Sequence, residues 1–201
     1  MGLAPVVYAS LFICGGVYPA SLPAAWQVRL SRDLGEKLAV VLIVAGVCRV
    51  EGAFHVYRVP TLQYYGQAKR YAYMRAKFEL WNLPYDRVVY YDLDIRVKPP
   101  VGRCASLCSS SFCAVRDPVA TWPFKTHRYF NAGFMVLAPS KAVYADLMRT
   151  RPSPGKFAEQ DTLNRYFSGK WQKLPRECNW LHSHENRPLA LTDAGVFAVH
   201  G

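Results

Sequence analysis

The stretch Arg87-Val88-Val89-Tyr90-Tyr91-Asp92-Leu93-Asp94 (RVVYYDLD) decides how the rest of this chain is read. Two valines followed by two tyrosines, with no polar residue between them, predict a short strand buried on both faces. The strand runs straight into two carboxylates at i and i+2, which project to the same side while the backbone stays extended. Anions so placed repel each other and lose solvation, unless a cation sits beside them. Mg2+ and Mn2+ take oxygen ligands and are commonly shared with substrate phosphates. Asp-x-Asp alone also describes an ordinary solvated turn; its place directly behind RVVYY favours the metal.

Working outward, further apolar runs predict strands at residues 6–13, 38–44, 54–59, 112–115, 130–137 and 196–200, with 95–97 extended. Helical spacing predicts helices over 18–31, 67–81, 141–150 and 157–167. Gly46 and Ser168-Gly169 punctuate the pattern. Strands alternating with helices in the first half indicate one α/β domain, with a mostly parallel sheet flanked by helices. Ligands of such sheets bind beyond the carboxyl ends of the strands. Cys14-Gly15-Gly16 and Asp92-Leu93-Asp94 both fall there.

The composition excludes other classes. Of 201 residues, 51% are hydrophobic and 19% charged, which rules out a disordered chain. The net charge of +11 suits an anionic partner. The basic residues are scattered, with no run of five, so nucleic acid is not expected. The apolar beginning lacks a basic residue before Arg29, as a signal peptide would require, and Gly15, Gly16, Pro19 and Pro23 interrupt it. A buried first strand, no membrane span and a soluble, cytoplasmic protein are expected. Cys14, Cys48, Cys104, Cys108, Cys113 and Cys178 form no C-x-x-C pair, so reduced intracellular thiols are expected rather than zinc.

Other residues carry candidate chemistry. His200 ends the last predicted strand, where it could complete a three-ligand site, and imidazole with carboxylates favours Mn2+ over Mg2+. Lys77, with Arg70 and Arg75, lies on a basic helix that could meet a diphosphate. Glu159-Gln160-Asp161 opens a helix, where acids also suit the dipole. His182-Ser183-His184-Glu185 reads as a polar loop.

In order along the chain stand KFELWNLPYDRVVYYDLDIRV (residues 77–97), FNAGFMVLAPS (130–140), EQDTLNRYF (159–167), LPRECN (174–179) and AVHG (198–201). This series closely resembles the glycogenin-like and lipopolysaccharide galactosyltransferase-like family of retaining glycosyltransferases. The resemblance implies a Rossmann-like GT-A fold, with residues 1–100 as a nucleotide- and metal-binding half and 101–201 as a sugar and acceptor half. It implies transfer of a sugar from a nucleoside-diphosphate donor, UDP-glucose or UDP-galactose first, to a glycan or glycoprotein hydroxyl. It implies that Asp92, Asp94 and His200 hold Mn2+ and that Asp92 and Leu93 border the nucleotide. Lys77 is implied to contact donor phosphate or sugar, Asn131 and Gly133 to line the sugar pocket, and Glu159, Gln160 and Asp161 to lie beneath the transferred sugar as catalytic candidates. Tyr18 matches an aromatic beside uracil. Cys14, Gly15 and Gly16 replace the family's Thr-Asn-Asp, so backbone contacts would read the base there.

The family's Lys-Pro-Trp after the final histidine motif is missing at Gly201, which suggests a truncated chain or the first domain of a longer protein. A weaker likeness, to compact glycosyltransferase domains of large algal viruses, implies a viral protein acting in the host cytosol. Rival readings are a nucleotide-sugar-binding module without catalysis and a nucleotidyltransferase, which needs a third carboxylate on an adjacent strand.

Overall fold

Val40–Ala45 is apolar at every position because it is covered on both sides: Val41, Ile43 and Ala45 enter one hydrophobic layer, Val40, Leu42 and Val44 the other. The computed structural model describes residues 6–14, 19–34, 40–52, 55–59, 75–97, 102–117, 129–151, 158–181 and 198–200. Along the chain these form β1 (Val6–Ile13), α1 (Leu22–Leu34), β2 (Val40–Ala45) and β3 (His55–Val59). The described end of a helix, α2 (residues 75–78), then tightens into a 3-10 turn at Glu79–Asn82. Next come β4 (Arg87–Tyr91), β5 (Ile95–Val97), α3 (Gly102–Ser106), β6 (Phe112–Arg116) and β7 (Phe130–Leu137). The chain continues with α4 (Lys141–Arg149), α5 (Ala158–Tyr166), β8 (Gln172–Leu174), β9 (Trp180–Leu181) and β10 (Ala198–His200).

Seven strands share one sheet in the order β3-β2-β1-β4-β7-β6-β8. Only β7 runs against its neighbours β4 and β6; the other pairings are parallel. The mostly parallel mixed sheet read from the sequence is therefore present. The chain leaves β1 towards β2 and β3, then returns to lay β4 on the other side of β1. This reversal opens a crevice beyond the carboxyl ends of β1 and β4. A second, three-stranded sheet, β5-β10-β9, begins just past it.

One boundary moved for a physical reason, and one stop fell where the sequence put it. The first helix starts at Leu22 rather than residue 18, so Pro23 rather than Pro19 occupies its first turn. Helix α5 stops before Gly169, whose φ of 71° is the left-handed conformation that ends a helix at little cost to glycine. Among the described residues, no helix is long and apolar enough to cross a membrane.

The expectation of reduced thiols is overturned. All six cysteines pair, as Cys14–Cys48, Cys104–Cys178 and Cys108–Cys113. The first pair follows from the sheet: Ile13 of β1 lies level with Ala45 of β2, so residues just past both strand ends meet. The cytosol keeps thiols reduced, so the ground for a cytoplasmic location falls with that reading.

Trp81 is fully buried, stacked on Phe167 at 5.3 Å between ring centroids and tilted against Phe112 at 5.7 Å. Around it, Glu79 accepts bonds from Tyr144 Oη (2.6 Å) and Asn82 Nδ2 (2.9 Å), so the buried carboxylate is satisfied. Trp81→Ala removes the ring that joins the sheet to α5 and is expected to cost about 3–5 kcal/mol, as urea unfolding would show.

Candidate active site

The site grows from an irregularity in β7. Ala114 of β6 is level with Met135, but Val115 is level with Asn131, so Ala132-Gly133-Phe134 bulge out of that pairing. A bulge leaves ladder groups to be satisfied by something else. Here the substitutes are side chains and one loop amide. Ala132 N–H donates to Gln160 Oε1 (2.8 Å) and Gly133 N–H to Asn131 Oδ1 (2.9 Å). The Ala132 carbonyl accepts from Lys77 Nζ (3.3 Å), and the Gly133 carbonyl accepts from Asp92 N–H (2.8 Å). Four residues singled out in the sequence are thus tied to one short piece of backbone.

Asp92 leaves β4 into a turn closed by Ile95 N–H donating to the Asp92 carbonyl (3.1 Å). Its Oδ1 accepts from Lys77 Nζ (3.1 Å) and from the Tyr90 hydroxyl. Lys77 is buried, stands 3.9 Å from Glu159 Oε1 and lies over the Tyr90 ring. Burial alone would lower its pKa, but the carboxylates of Asp92 and Glu159 outweigh it and hold the ammonium above its ordinary range. Burial, then Asp92, push the Tyr90 hydroxyl well up, so it stays a donor. Leu93 is buried and its carbonyl accepts from Arg29 Nη2 (3.4 Å). Asp94 is partly exposed at the end of the turn.

Strand β10 pairs antiparallel with β5, which sets His200 level with Ile95, one residue past Asp94. The main chain of the third expected ligand is therefore next to the end of the Asp92-Leu93-Asp94 turn. Among the described residues there is no group of three or more metal-ligating side chains, and the His200 side chain is outside that description.

On the other side of the bulge lies a buried polar network. Asp117 Oδ2 accepts from Gln160 Nε2 (2.8 Å) and Asn131 Nδ2 (3.4 Å), while Asn131 Oδ1 also accepts from Asn179 Nδ2 (2.9 Å). Asp161 accepts from Tyr129 Oη (2.5 Å), and burial, then that bond, raise the Tyr129 pKa strongly. Both ends of the Gln160 amide are thus engaged with protein, and Glu159 and Asp161 each have a partner. The reading of the sequence missed Asp117, Asn179 and Tyr129. Asp117 follows strand β6 just as Asp92 follows β4, and that parallel was the available signal.

Cys14, expected at the base, has its sulfur in the disulfide to Cys48 and its N–H on the Ala45 carbonyl (2.9 Å). Gly15, Gly16, Tyr18, Arg70 and the 182–185 loop lie outside the described residues.

Residues 49–194 match the profile of Glycosyl transferase family 8. The chain belongs to this family. It is similar to galactinol synthase 1 of Solanum lycopersicum, at 31% identity over 142 residues, covering 61% of this chain and 45% of that protein. Galactinol synthase 6 of Arabidopsis thaliana is 26% identical over 191 residues, covering 77% and 56%. The chain thus spans about half the length of these curated relatives. In structure it is similar to the galactosyltransferase LgtC solved with donor and acceptor sugar analogs, with a TM-score of 0.67 at 14% identity, covering 96% of this chain and 86% of that one. Mouse xyloside xylosyltransferase 1 superposes with a TM-score of 0.59, also at 14% identity, covering 98% and 97%. At such identity the structural likeness establishes the GT-A fold, as the family 8 sequence pattern implied.

Proposed function

We propose that this family 8 chain is a metal-dependent retaining glycosyltransferase, which moves a hexose from a UDP-hexose to a hydroxyl of a glycan or glycoprotein. One observation carries the reading: the Asp92-Leu93-Asp94 turn sits beyond β4 at the chain reversal, hydrogen-bonded to the same β7 bulge that Lys77 and Gln160 hold. Two carboxylates, with a histidine strand set beside them, are a donor set that suits Mn2+. Asp92, Asp94 and His200 would hold the ion, which when bound offsets charge on the leaving diphosphate.

The chain's own residues do the rest. Lys77 keeps a positive charge between the turn and the bulge, where donor phosphate and sugar meet. Asn131, Gln160 and Asn179 are locked by one another and by Asp117, a rigid polar floor suited to reading sugar hydroxyls. Gln160 is a poor nucleophile, and Glu159 and Asp161 are held by Lys77 and Tyr129. This supports front-face attack by the acceptor hydroxyl over double displacement. No third carboxylate is seen on a strand next to β4 among the described residues: Asp117 follows β6, with β7 between. That counts against a nucleotidyltransferase. The three disulfides favour work in an oxidising compartment.

Relatives named galactinol synthases and a neighbour named a galactosyltransferase make UDP-galactose the first donor to try. A panel of nucleotide sugars incubated with Mn2+ is expected to release UDP from one hexose donor above all others, with release abolished by chelator and restored by Mn2+. Donor binding without release would replace the transferase with a binding module. Release of pyrophosphate from a nucleoside triphosphate would favour the nucleotidyltransferase.

A further inference from the structure

Strand β1 is longer than its place beside β4 requires. Its pairing with β4 ends at Ala9, level with Tyr90, and Ser10 Oγ then donates to the Tyr91 carbonyl at 2.6 Å. Its pairing with β2 continues to Ile13, level with Ala45. Leu11, Phe12 and Ile13 therefore overhang the end of β4, where the chain turns through Asp92-Leu93-Asp94. The overhang forms a wall of the crevice that opens at the chain reversal. Phe12 is buried in the apolar layer, whereas Ile13 and Cys14 at the tip are only part-buried.

That tip is fastened from the β2 side. The Cys14 N–H donates to the Ala45 carbonyl (2.9 Å), and the Cys14 sulfur is bonded to Cys48. Cys48 is anchored in turn. Its carbonyl accepts from Arg58 Nη1 of β3 (3.1 Å), and the Gly46 N–H donates to the Val59 carbonyl (3.3 Å). The Cys14–Cys48 disulfide thus ties one wall of the donor crevice to β2 and β3.

The three disulfides differ in access. Cys104, Cys178, Cys108 and Cys113 are all buried. Cys14 and Cys48 are both part-exposed, and Val47, beside Cys48, is 99% exposed, so the chain there is open to solvent. Thiol–disulfide exchange needs such access, and it is faster when the departing thiolate is stabilised. The Arg58 guanidinium on the Cys48 carbonyl places a cation near that sulfur, and a nearby cation favours the thiolate.

We propose that Cys14–Cys48 is a redox-sensitive clamp on the donor site, cut by a dithiol reductant while the two buried disulfides keep the fold. One thiolate of the dithiol attacks the Cys14 sulfur, and the S–S bond breaks with Cys48 leaving as the thiolate. The second thiolate of the reductant then displaces Cys14 and closes the reductant's own disulfide. Two electrons pass to the protein, and the two cysteines take up protons as thiols. The released tip of β1 no longer holds the wall, and donor affinity falls. Naming the donor a UDP-sugar rests on the glycosyltransferase reading; the selective cut does not.

Graded dithiothreitol followed by alkylation and peptide mass spectrometry tests the cut, and calorimetry with UDP and Mn2+ under nitrogen, after the dithiol is removed, tests its effect. Cys14 and Cys48 are expected to take up label at least tenfold faster than the other four cysteines. Protein reduced at that pair alone is expected to bind UDP at least fivefold more weakly, and to regain its affinity on reoxidation with oxidised glutathione. Cys14→Ser/Cys48→Ser should bind UDP as weakly as the reduced protein, with or without dithiol, and still unfold cooperatively in urea. Labelling of all six cysteines together would overturn the selective cut. Unchanged UDP affinity in protein reduced at Cys14–Cys48 alone would overturn the clamp and leave a plain structural crosslink. Oxidised protein that binds no UDP would sink the donor reading and, with it, the clamp's role there.

Discussion

Asp94→Ala is expected to lower metal-dependent donor turnover by about a thousandfold, roughly 4 kcal/mol of lost transition-state stabilisation, with little change in stability. Asp94 is the cleaner of the two acids to remove. Asp92 carries structure as well as chemistry: it receives Lys77 and Tyr90 on one oxygen and ties its N–H to Gly133. Truncating it would leave the buried Lys77 ammonium without its nearest carboxylate, so a loss of activity would mix misfolding with chemistry. Asp94 is partly exposed at the outer end of the turn, and removing it takes away a donor oxygen without unpairing Lys77 from Asp92. UDP release at saturating donor, alongside urea unfolding, checks both halves of the expectation. Wild-type turnover in Asp94→Ala would remove the metal role from this turn.

The second large effect concerns Cys104–Cys178, which joins residues 74 apart in sequence. Chain-entropy reasoning gives such a crosslink about 4.5 kcal/mol, against about 2 kcal/mol for Cys108–Cys113 with its separation of only 5. Position adds to length. Cys178 is fully buried and precedes Asn179, whose amide holds Asn131 in the polar floor. Cys104→Ala/Cys178→Ala is therefore expected to destabilise the protein by several kcal/mol and to lower turnover more than stability alone explains. Cys108→Ala/Cys113→Ala should change stability modestly and turnover little. Urea unfolding with and without reductant, plus thiol counting by mass, would check this. Six free thiols in the native protein would contradict the pairing.

The long apolar strands were legible because burial removes the polar residues that otherwise blur a strand, whereas β8 and β9, two or three residues each, were not. RVVYY, VVYASLFI and FNAGFMVL each match the observed bounds. The Asp92-Leu93-Asp94 turn stood out for the same reason, since two acids follow such a run. The disulfide of Cys14 was not, because it depends on β1 and β2 being adjacent and level, which no local spacing encodes. Gln160 shows a similar limit. The family resemblance implied a place beneath the transferred sugar; what it did not show is that the amide is engaged at both ends by the β7 bulge and Asp117. A bulge is a property of two paired strands, so Asp117 drew no attention in one chain read by itself, and Asn179 was noticed only as the end of LPRECN, without a role.

The meeting of Asp92, Asp94 and His200 is the claim on which the account turns, and manganese paramagnetic resonance tests it most directly. Free Mn2+ gives a sharp six-line spectrum that broadens when protein carboxylates and a nucleotide hold the ion. With wild-type protein and UDP present, stoichiometric loss of the free signal is expected, with the signal restored in Asp94→Ala and His200→Ala. An undiminished free-ion spectrum with wild type and UDP would contradict it.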